Sequence, residues 1–355
     1  MRGSAGLDEV DLRLIAALQT SPRADWQRIG QVLEVSASTA ARRWERLTDE
    51  GLAWLSCQPV RLPGTSAILA VIEVDCTAGR LHEVAVRIAE DSHVINVSYL
   101  TGARDLMIMA GFADQASLAR YVGFRLGALD SVATTRTQIV TTIHTEGSRW
   151  RLDRLDEERR GTLLAGRTTG VPTRTGPDAA DLALMTALSA DCRQPAAVLA
   201  ERLGLSTTSV RRRLARLDAG RFMVYRCEVA RFISGWPIGA TLWSAVSPAR
   251  AEQIAAQLVG MRETRMCLSL SGPYNLVFAV WLRAMNDVQP FEFRLVQRIP
   301  DLVIADRAVN LWHVKLGGHL LDPQGRHLRA VPVALWSDGD AAAAEAAVVR
   351  RLRHP

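Results

Sequence analysis

Cysteine is scarce and scattered. The five cysteines in 355 residues (Cys57, Cys76, Cys192, Cys227, Cys267) form no CxxC pair, and the seven histidines show no HxxxH or Cys/His spacing. That argues against a zinc site or a disulfide framework and for structural thiols in a reducing compartment. No apolar run approaches the roughly 20 residues a membrane span needs. The first seven residues lack the apolar core of a signal peptide. A cytoplasmic location without a membrane partner is therefore expected. No nucleophile elbow, P-loop or HExxH stretch occurs, so no catalytic residue, metal or cofactor is assigned. Lysine is nearly missing too: Lys315 is the only one, which reads as coding bias rather than function.

What is present is a soluble-type composition, 48% hydrophobic and 23% charged, with a formal net charge of +6 and a pI of about 9.5. Such a length suggests two or more domains. The basic balance permits nucleic-acid binding without establishing it, and arginine can fork onto guanine edges or phosphates.

The strongest signal is an internal repeat. Asp11-Leu12-Arg13-Leu14 returns as Asp181-Leu182-Ala183-Leu184, and the same offset relates Ser36 to Ser206, Arg42-Arg43 to Arg212-Arg213, and Cys57 to Cys227. Over 11–57 against 181–227, 13 of 47 positions are identical without a gap. The register still holds at Gly102 and Gly272, so each copy is a complete module and not a solenoid unit.

Each copy opens with three short helical patterns. Leu12, Ile15 and Leu18 share one face of the first, as do Leu182, Met185 and Leu188. A second helix fits roughly 25–33, with Leu199 and Leu203 marking its counterpart. A tight turn (Glu34-Val35, Gly204-Leu205) precedes Ser36 and Ser206, natural N-caps for a third helix. The arrangement describes a helix-turn-helix whose third helix enters the major groove of double-stranded DNA. On that reading the DNA-contacting residues are Ser36, Ser38, Thr39, Arg42 and Arg43, beside Ala37 and Ala41. In copy two they are Ser206, Thr207, Thr208, Ser209, Arg211, Arg212 and Arg213. Arginine pairs are often only a solvated face; their place after a serine-capped turn in both copies favours DNA contact. Residues 1–60 carry seven Arg and eight acidic residues, whereas 178–227 carry eight Arg and five acidic ones. Copy two is expected to bind more strongly, and a first reader decayed into a packing domain stays open.

The second part of each copy reads as βαββαβ. In copy one these are strand 67–75, helix 79–91, strands 93–101 and 105–112, helix 114–127 and strand 131–142. In copy two they are strand 237–246, helix 248–260, strands 264–271 and 275–283, helix 286–299 and strand 302–315. That order is a ferredoxin-like split βαβ sandwich. It leaves one apolar sheet face open, and the simplest cover is the sister unit of the same chain. The fold class is thus α+β: two winged-helix-like helix-turn-helix domains and two ferredoxin-like sensor domains. The expected boundaries are 7–60, 66–146, a linker 147–177, 178–230, 236–316, and a tail 317–355, partly disordered or carrying one marginal helix about the Ala341–Ala344 run. Within the linker, 149–160 reads as a short exposed helix.

This combination resembles the Lrp/AsnC family of bacterial and archaeal regulators. The resemblance rests on Asp8-x-x-Asp11 and Asp178-x-x-Asp181 before an apolar helix, the serine-capped helices, and Gly102-Ala103-Arg104-Asp105-Leu106, answered by Gly272-Pro273-Tyr274-Asn275-Leu276. It implies a dimer joined through the sensor sheets, here a pseudo-dimer within one chain that assembles into homo-oligomers. It also implies an effector, such as an amino acid, near the glycine turns. The residues carried over are Leu100, Thr101, Gly102 and Asp105, with Ser271, Gly272 and Asn275; Asn275 replaces the family's Asp. The glycines equally serve a tight β-turn. The alternative function is an enzyme resembling the siroheme decarboxylases, on the same scaffold. Their His-Asn-Tyr-x-Arg stretch is absent: the corresponding segments read His93-Val94-Ile95-Asn96-Val97-Ser98-Tyr99 and Arg265-Met266-Cys267-Leu268-Ser269.

Overall fold

The computed structural model describes residues 6–59, 67–165, 176–334 and 341–353. Three helices, α1 (Glu9–Thr20), α2 (Trp26–Leu33) and α3 (Ala37–Asp49), lead into β1 (Ala53–Pro59). Next come β2 (Ile68–Cys76), α4 (Leu81–Ala89), β3 (Val94–Leu100), β4 (Leu106–Phe112), α5 (Gln115–Arg120), extended by a wider-wound turn Tyr121–Leu126, and β5 (Val132–Thr145). After the connecting helix α6 (Glu157–Leu164) the series repeats. It runs through α7 (Ala179–Ala190), α8 (Ala196–Leu203), α9 (Thr207–Ala219), β6 (Met223–Val229), β7 (Ile238–Ser244), α10 (Ala251–Val259), β8 (Thr264–Leu270), β9 (Leu276–Leu282), α11 (Val288–Arg298) and β10 (Ile304–Leu316). β11 (His319–Leu321), β12 (His327–Ala330) and α12 (Ala341–Arg353) follow. None of the described helices is long and apolar enough to cross a membrane.

The helical units of the two copies fold as one body. Leu14, Ile15 and Leu18 of α1 and Leu184, Met185 and Leu188 of α7 lie in a single buried cluster that also takes in Leu47, Leu217 and Cys57. β1 pairs antiparallel with β6, placing Cys57 opposite Tyr225. α1 packs on β6 and α7 on β1, so each copy's first helix covers the other's strand. Paired arginines seal the exchange. Arg23 donates to the Cys192 carbonyl. Arg193 donates to the Pro22 (2.9 Å) and Ala24 (2.8 Å) carbonyls and lies 4.1 Å over the Trp26 ring.

The strands close on themselves. The order β10-β3-β4-β2-β5-β8-β9-β7, with β10 pairing back to β7, is an eight-stranded barrel built from four strands of each copy. Alternation along the strands explains why both faces are apolar. Ala70, Ile72 and Val74 of β2 point outward to a core under α4 and α5 with Val84, Ile88 and Leu118. Val71 points inward to Met107, Val140, Trp243, Met266 and Leu268. The sheet faces expected to cover one another do so inside this barrel, and closure also removes the exposed edges an open sheet would carry.

Two seams join the copies, β5 with β8 and β3 with β10. Thr101 binds Val309 through both its backbone N–H (3.0 Å) and its hydroxyl, which accepts from Val309 N–H at 2.9 Å. Ser271 binds Ile139 in the same two ways, each at 2.9 Å. Because 101 and 271, like 139 and 309, are repeat-related, the two seams are copies of one joint.

Two expectations are corrected. The described residues 317–334 are not a loose tail: β11 and β12 extend the sheet from β10, and His319, Leu321 and Val333 are buried, whereas the helix expected further on is there as α12. Glycine fits there because Gly317 and Gly318 turn through positive φ. Residues 149–160 are not a single exposed helix either. Trp150, Leu152 and Leu155 are buried in the shared helical core, and α6 starts only at Glu157, capped by Asp156. The expected linker residues 166–175 lie outside the described residues.

Candidate nucleic-acid interface and effector turns

Both third helices start as their serines dictate. Ser36 Oγ accepts the Thr39 backbone N–H at 3.0 Å and contacts the Ser38 (3.0 Å) and Thr39 (2.8 Å) hydroxyls. Ser206 Oγ accepts from Ser209 N–H at 3.2 Å. The turn before each helix passes through the left-handed region, at Glu34 (φ 59°) and Gly204 (φ 65°). One face of each helix is buried, through Ala40, Trp44 and Leu47 and through Val210, Leu214 and Leu217. The opposite face carries Ser36, Ser38 and Arg42 exposed with Thr39 half-buried, and in copy two Ser206, Thr208, Arg211 and Arg212 exposed with Thr207 and Ser209 half-buried.

Arg43 and Arg213 depart from expectation. Arg43 reaches back to Asp8 (2.7 Å) and Asp11 (2.8 Å), and Arg46 holds the other Asp11 oxygen at 2.6 Å. Arg213 does the same with Asp178 (2.7 Å) and Asp181 (2.8 Å), and Arg216 pairs with Asp181. Each Asp-x-x-Asp motif is a capping box that starts the first helix and anchors the third to it. The Arg213 guanidinium holds the Asp178 carboxyl below its usual range. Asp11 and Asp181 are almost fully buried, so these arginines are bound by the fold before any DNA arrives. One signal was available in the sequence: the Asp and Arg positions recur in both copies at the same separation.

Among the described residues of the third helices, Arg42, Arg211 and Arg212 are the arginines left exposed without an ion pair. Copy one presents one such guanidinium and copy two presents two.

The effector candidates fall into two sets, at turns on opposite sides of the barrel. Leu100 is buried in the barrel interior. Thr101 and Ser271 are seam clamps. Gly102 turns at φ 91°. A Cβ at Gly272 would sit 2.4 Å from Gln138 Oε1, so a side chain there would push the Gln138 amide aside. Asp105 accepts from the Cys76 N–H at 2.8 Å. Asn275 does that job for Val246 N–H and also donates to the Val246 carbonyl, both at 2.8 Å. The Asp-to-Asn difference therefore preserves a turn pin. Thr101 also borders a cavity of about 300 Å³ with Phe291, Glu292 and Arg307. Sequence reasoning missed Arg104, which is buried beside the same turn, paired with Glu73 (3.0 Å) and Asp306 (2.8 Å) and lying 4.0 Å over Trp243.

Comparison with known proteins agrees with this layout. The AsnC-type helix-turn-helix domain matches residues 7–48 and again 178–218, and the Lrp/AsnC ligand binding domain matches 69–150. An uncharacterised HTH-type transcriptional regulator of Pyrococcus furiosus is 28% identical over 138 residues, 39% of this chain and 93% of that protein. The HTH-type transcriptional regulator FL11 of the same organism is 26% identical over 147 residues, 41% of this chain and 95% of that protein. Among solved structures, the siroheme decarboxylase NirDL, in co-complex with an iron-uroporphyrin III analogue, superposes with a TM-score of 0.58 over 97% of this chain and 100% of that one. At 12% identity that likeness carries the architecture alone. With two AsnC-type helix-turn-helix segments and one Lrp/AsnC ligand-binding segment matched in repeat order, the chain is similar to the Lrp/AsnC family in a tandem-duplicated form.

Proposed function

We propose that this protein is a sequence-specific DNA-binding transcription regulator, modulated by a small effector, whose two readers are held at fixed spacing by one chain. The observation that carries the reading is the pair of serine-capped third helices. Each is anchored to its first helix by an Asp–Arg cluster and offers hydroxyls and unpaired arginines on its outer face. Such a face meets phosphates and base edges in the major groove. Readers fused this way take half-sites about one helical turn, roughly 34 Å, apart or a multiple of it. Because the two helices differ, the operator is an imperfect palindrome.

The finer assignments are part of the same proposal. The strand order β3-β4-β2-β5 with two helices on one side supports a ferredoxin-like sensor unit in each copy. A strand directly after each third helix supports a winged-helix-like reader. The domain limits 7–60, 66–146, 178–230 and 236–316, a cytoplasmic site of action and further assembly of the pseudo-dimer into homo-oligomers belong here too. The cavity beside Thr101, with Arg307 and Glu292 on its wall, supports an amino-acid effector at the first glycine turn.

The test is selection of bound DNA by the purified full chain, with and without an amino-acid panel. Enrichment of a two-part site whose affinity falls steeply with salt is the expected result. Absence of any enriched sequence, together with a retained chromophore, would instead favour an enzyme on this scaffold.

A further inference from the structure

The barrel is not filled along its length. At the end carrying the Gly102 turn, Arg104, Glu73, Asp306 and Trp243 plug the interior. At the other end the β1–β6 ribbon contributes Gln58, Pro59, Val224 and Arg226 to the wall of a cavity of about 310 Å³. That is room for about ten water molecules and within the range of small-molecule sites. Met107, Met109, Val140, Met266, Leu268 and Trp281 give it an apolar body. Methionine-rich walls adapt to the shape of an occupant.

The polar end carries surplus positive charge. Arg265 pairs with Glu228 at 2.5 Å and lies 3.9 Å over the Trp281 ring. Arg226 pairs with Glu146. A third guanidinium, Arg231, has no carboxylate partner among the described residues. Its Nη1 is buried, unbonded, and packed where Gly239 faces Asn310 on the cavity wall. Burial, with Arg265 nearby, pulls the Arg231 pKa down to about 10. His313, also on the wall, is held neutral by burial and by Arg231 and Arg265, and its ring meets the Ser98 hydroxyl at 2.6 Å. Three more donors lack partners: Gln58 Nε2, Ser56 Oγ and Arg226 Nε, with Gln58 and Ser56 more than nine-tenths buried. Each orphaned buried donor is a cost to the fold, and the Arg231 charge, half-buried without a carboxylate partner among the described residues, adds to it. A ligand that supplies acceptor oxygens and one negative charge removes those costs.

We propose that the barrel interior binds a small amphipathic carboxylate, its apolar body against the Met107–Met109–Met266–Leu268 wall and its carboxylate toward Gln58 and Arg226, with the unpaired Arg231 charge close by. The site is separate from the glycine turns. It also touches the ribbon strands that follow directly after α3 and α9. An occupant with different affinity for two ribbon geometries therefore shifts the readers, and DNA shifts its affinity in return. That coupling rests on the DNA-binding reading; the binding itself does not.

The test is calorimetric titration of the full chain, without DNA, using 2-naphthoate and its uncharged counterpart 2-naphthalenemethanol. Saturable one-to-one binding of naphthoate is expected, about tenfold or more tighter than the alcohol. Ala279→Phe, which fills the cavity, abolishes binding of both. Arg231→Gln and, separately, Gln58→Leu weaken naphthoate while leaving the alcohol unchanged; thermal unfolding verifies that each variant is folded. Lack of saturable naphthoate binding, equal affinity for the alcohol, or full binding by folded Ala279→Phe would each overturn the site. A DNA titration at saturating naphthoate then reads the coupling. A changed DNA affinity supports it, and an unchanged one with naphthoate bound overturns the coupling alone.

Discussion

Arginines adjacent on one helix should behave oppositely when removed. Arg212 is exposed and unpaired, whereas Arg213 is bound to Asp178 and to the fully buried Asp181. Arg213→Ala strands Asp181 Oδ1, because Arg216 occupies the other oxygen. Leaving a buried carboxylate oxygen unsatisfied costs about 1–3 kcal/mol, and in a chain of 355 residues each kcal/mol lowers the melting temperature by no more than roughly 2 °C. Arg212→Ala leaves the melting temperature unchanged. For DNA the order reverses. Each phosphate contact contributes about 0.9 to the slope of log K against log salt. Removing Arg211 and Arg212 together therefore lowers that slope by about 1.8, and removing Arg42, the arginine of α3 left without an ion pair, lowers it by about 0.9. Arg213→Ala and Arg43→Ala leave it unchanged while the protein is folded. Fluorescence anisotropy with one operator duplex over a salt series, alongside thermal unfolding, reads both quantities. If Arg213→Ala flattened the salt dependence as much as Arg212→Ala and left the melting temperature intact, the assignment of Arg213 to the Asp cluster would be refuted. Equal losses from the two copies would refute the stronger second reader.

Further outcomes follow from single sites. Glu34 holds a left-handed conformation that its repeat partner Gly204 adopts freely, so Glu34→Gly should stabilise the chain by about 1 kcal/mol, read in urea unfolding, although it forfeits the exposed contact with Arg159. Thr101→Val and Ser271→Ala each remove the hydroxyl acceptor at one barrel seam. Each should cost about 1 kcal/mol, and the two costs should add because the seams lie on opposite sides of the barrel. Lys315, the only lysine, donates to the Asp91 carbonyl at 2.9 Å, and burial pulls it from 10.5 down to about 7. Above pH 10.5 the amine is neutral folded and unfolded; at lower pH the unfolded chain takes up a proton that the folded chain refuses down to about 7. Stability therefore falls as pH is lowered from about 10 to 7, by several kcal/mol at most. The difference between wild type and Lys315→Met, measured by urea unfolding at both pH values, should show that fall in the wild type only.

The local grammar of this chain was readable in advance. Serine before a periodic run, Asp three residues ahead of Asp, and a glycine between two β-branched runs each act over one turn of backbone, and the structure has a cap, a capping box and a hairpin at those places. What escaped notice acts over long separations. Barrel closure depends on β5 meeting β8 and β3 meeting β10; hydrophobic alternation says which face is apolar but not which edge joins which. The β1–β6 ribbon is equally nonlocal. Arg43 looked like a DNA contact because helical periodicity puts it next to Arg42, and only the fold brings Asp8 and Asp11 beside it. Just after Gly317 composition suggests a loose chain, yet its glycine, proline and aspartate make tight turns between β10, β11 and β12, while the alanine run further on forms the expected helix, α12.

Footprinting of the purified chain on its selected operator shows whether both third helices read DNA. Two protected half-sites of unequal sequence are expected, about 10 base pairs or a multiple apart, with Arg42→Ala relaxing protection at one and the Arg211/Arg212 double variant at the other. A single protected half-site that is indifferent to one of the two helices, or no protection at all, would contradict reading by both.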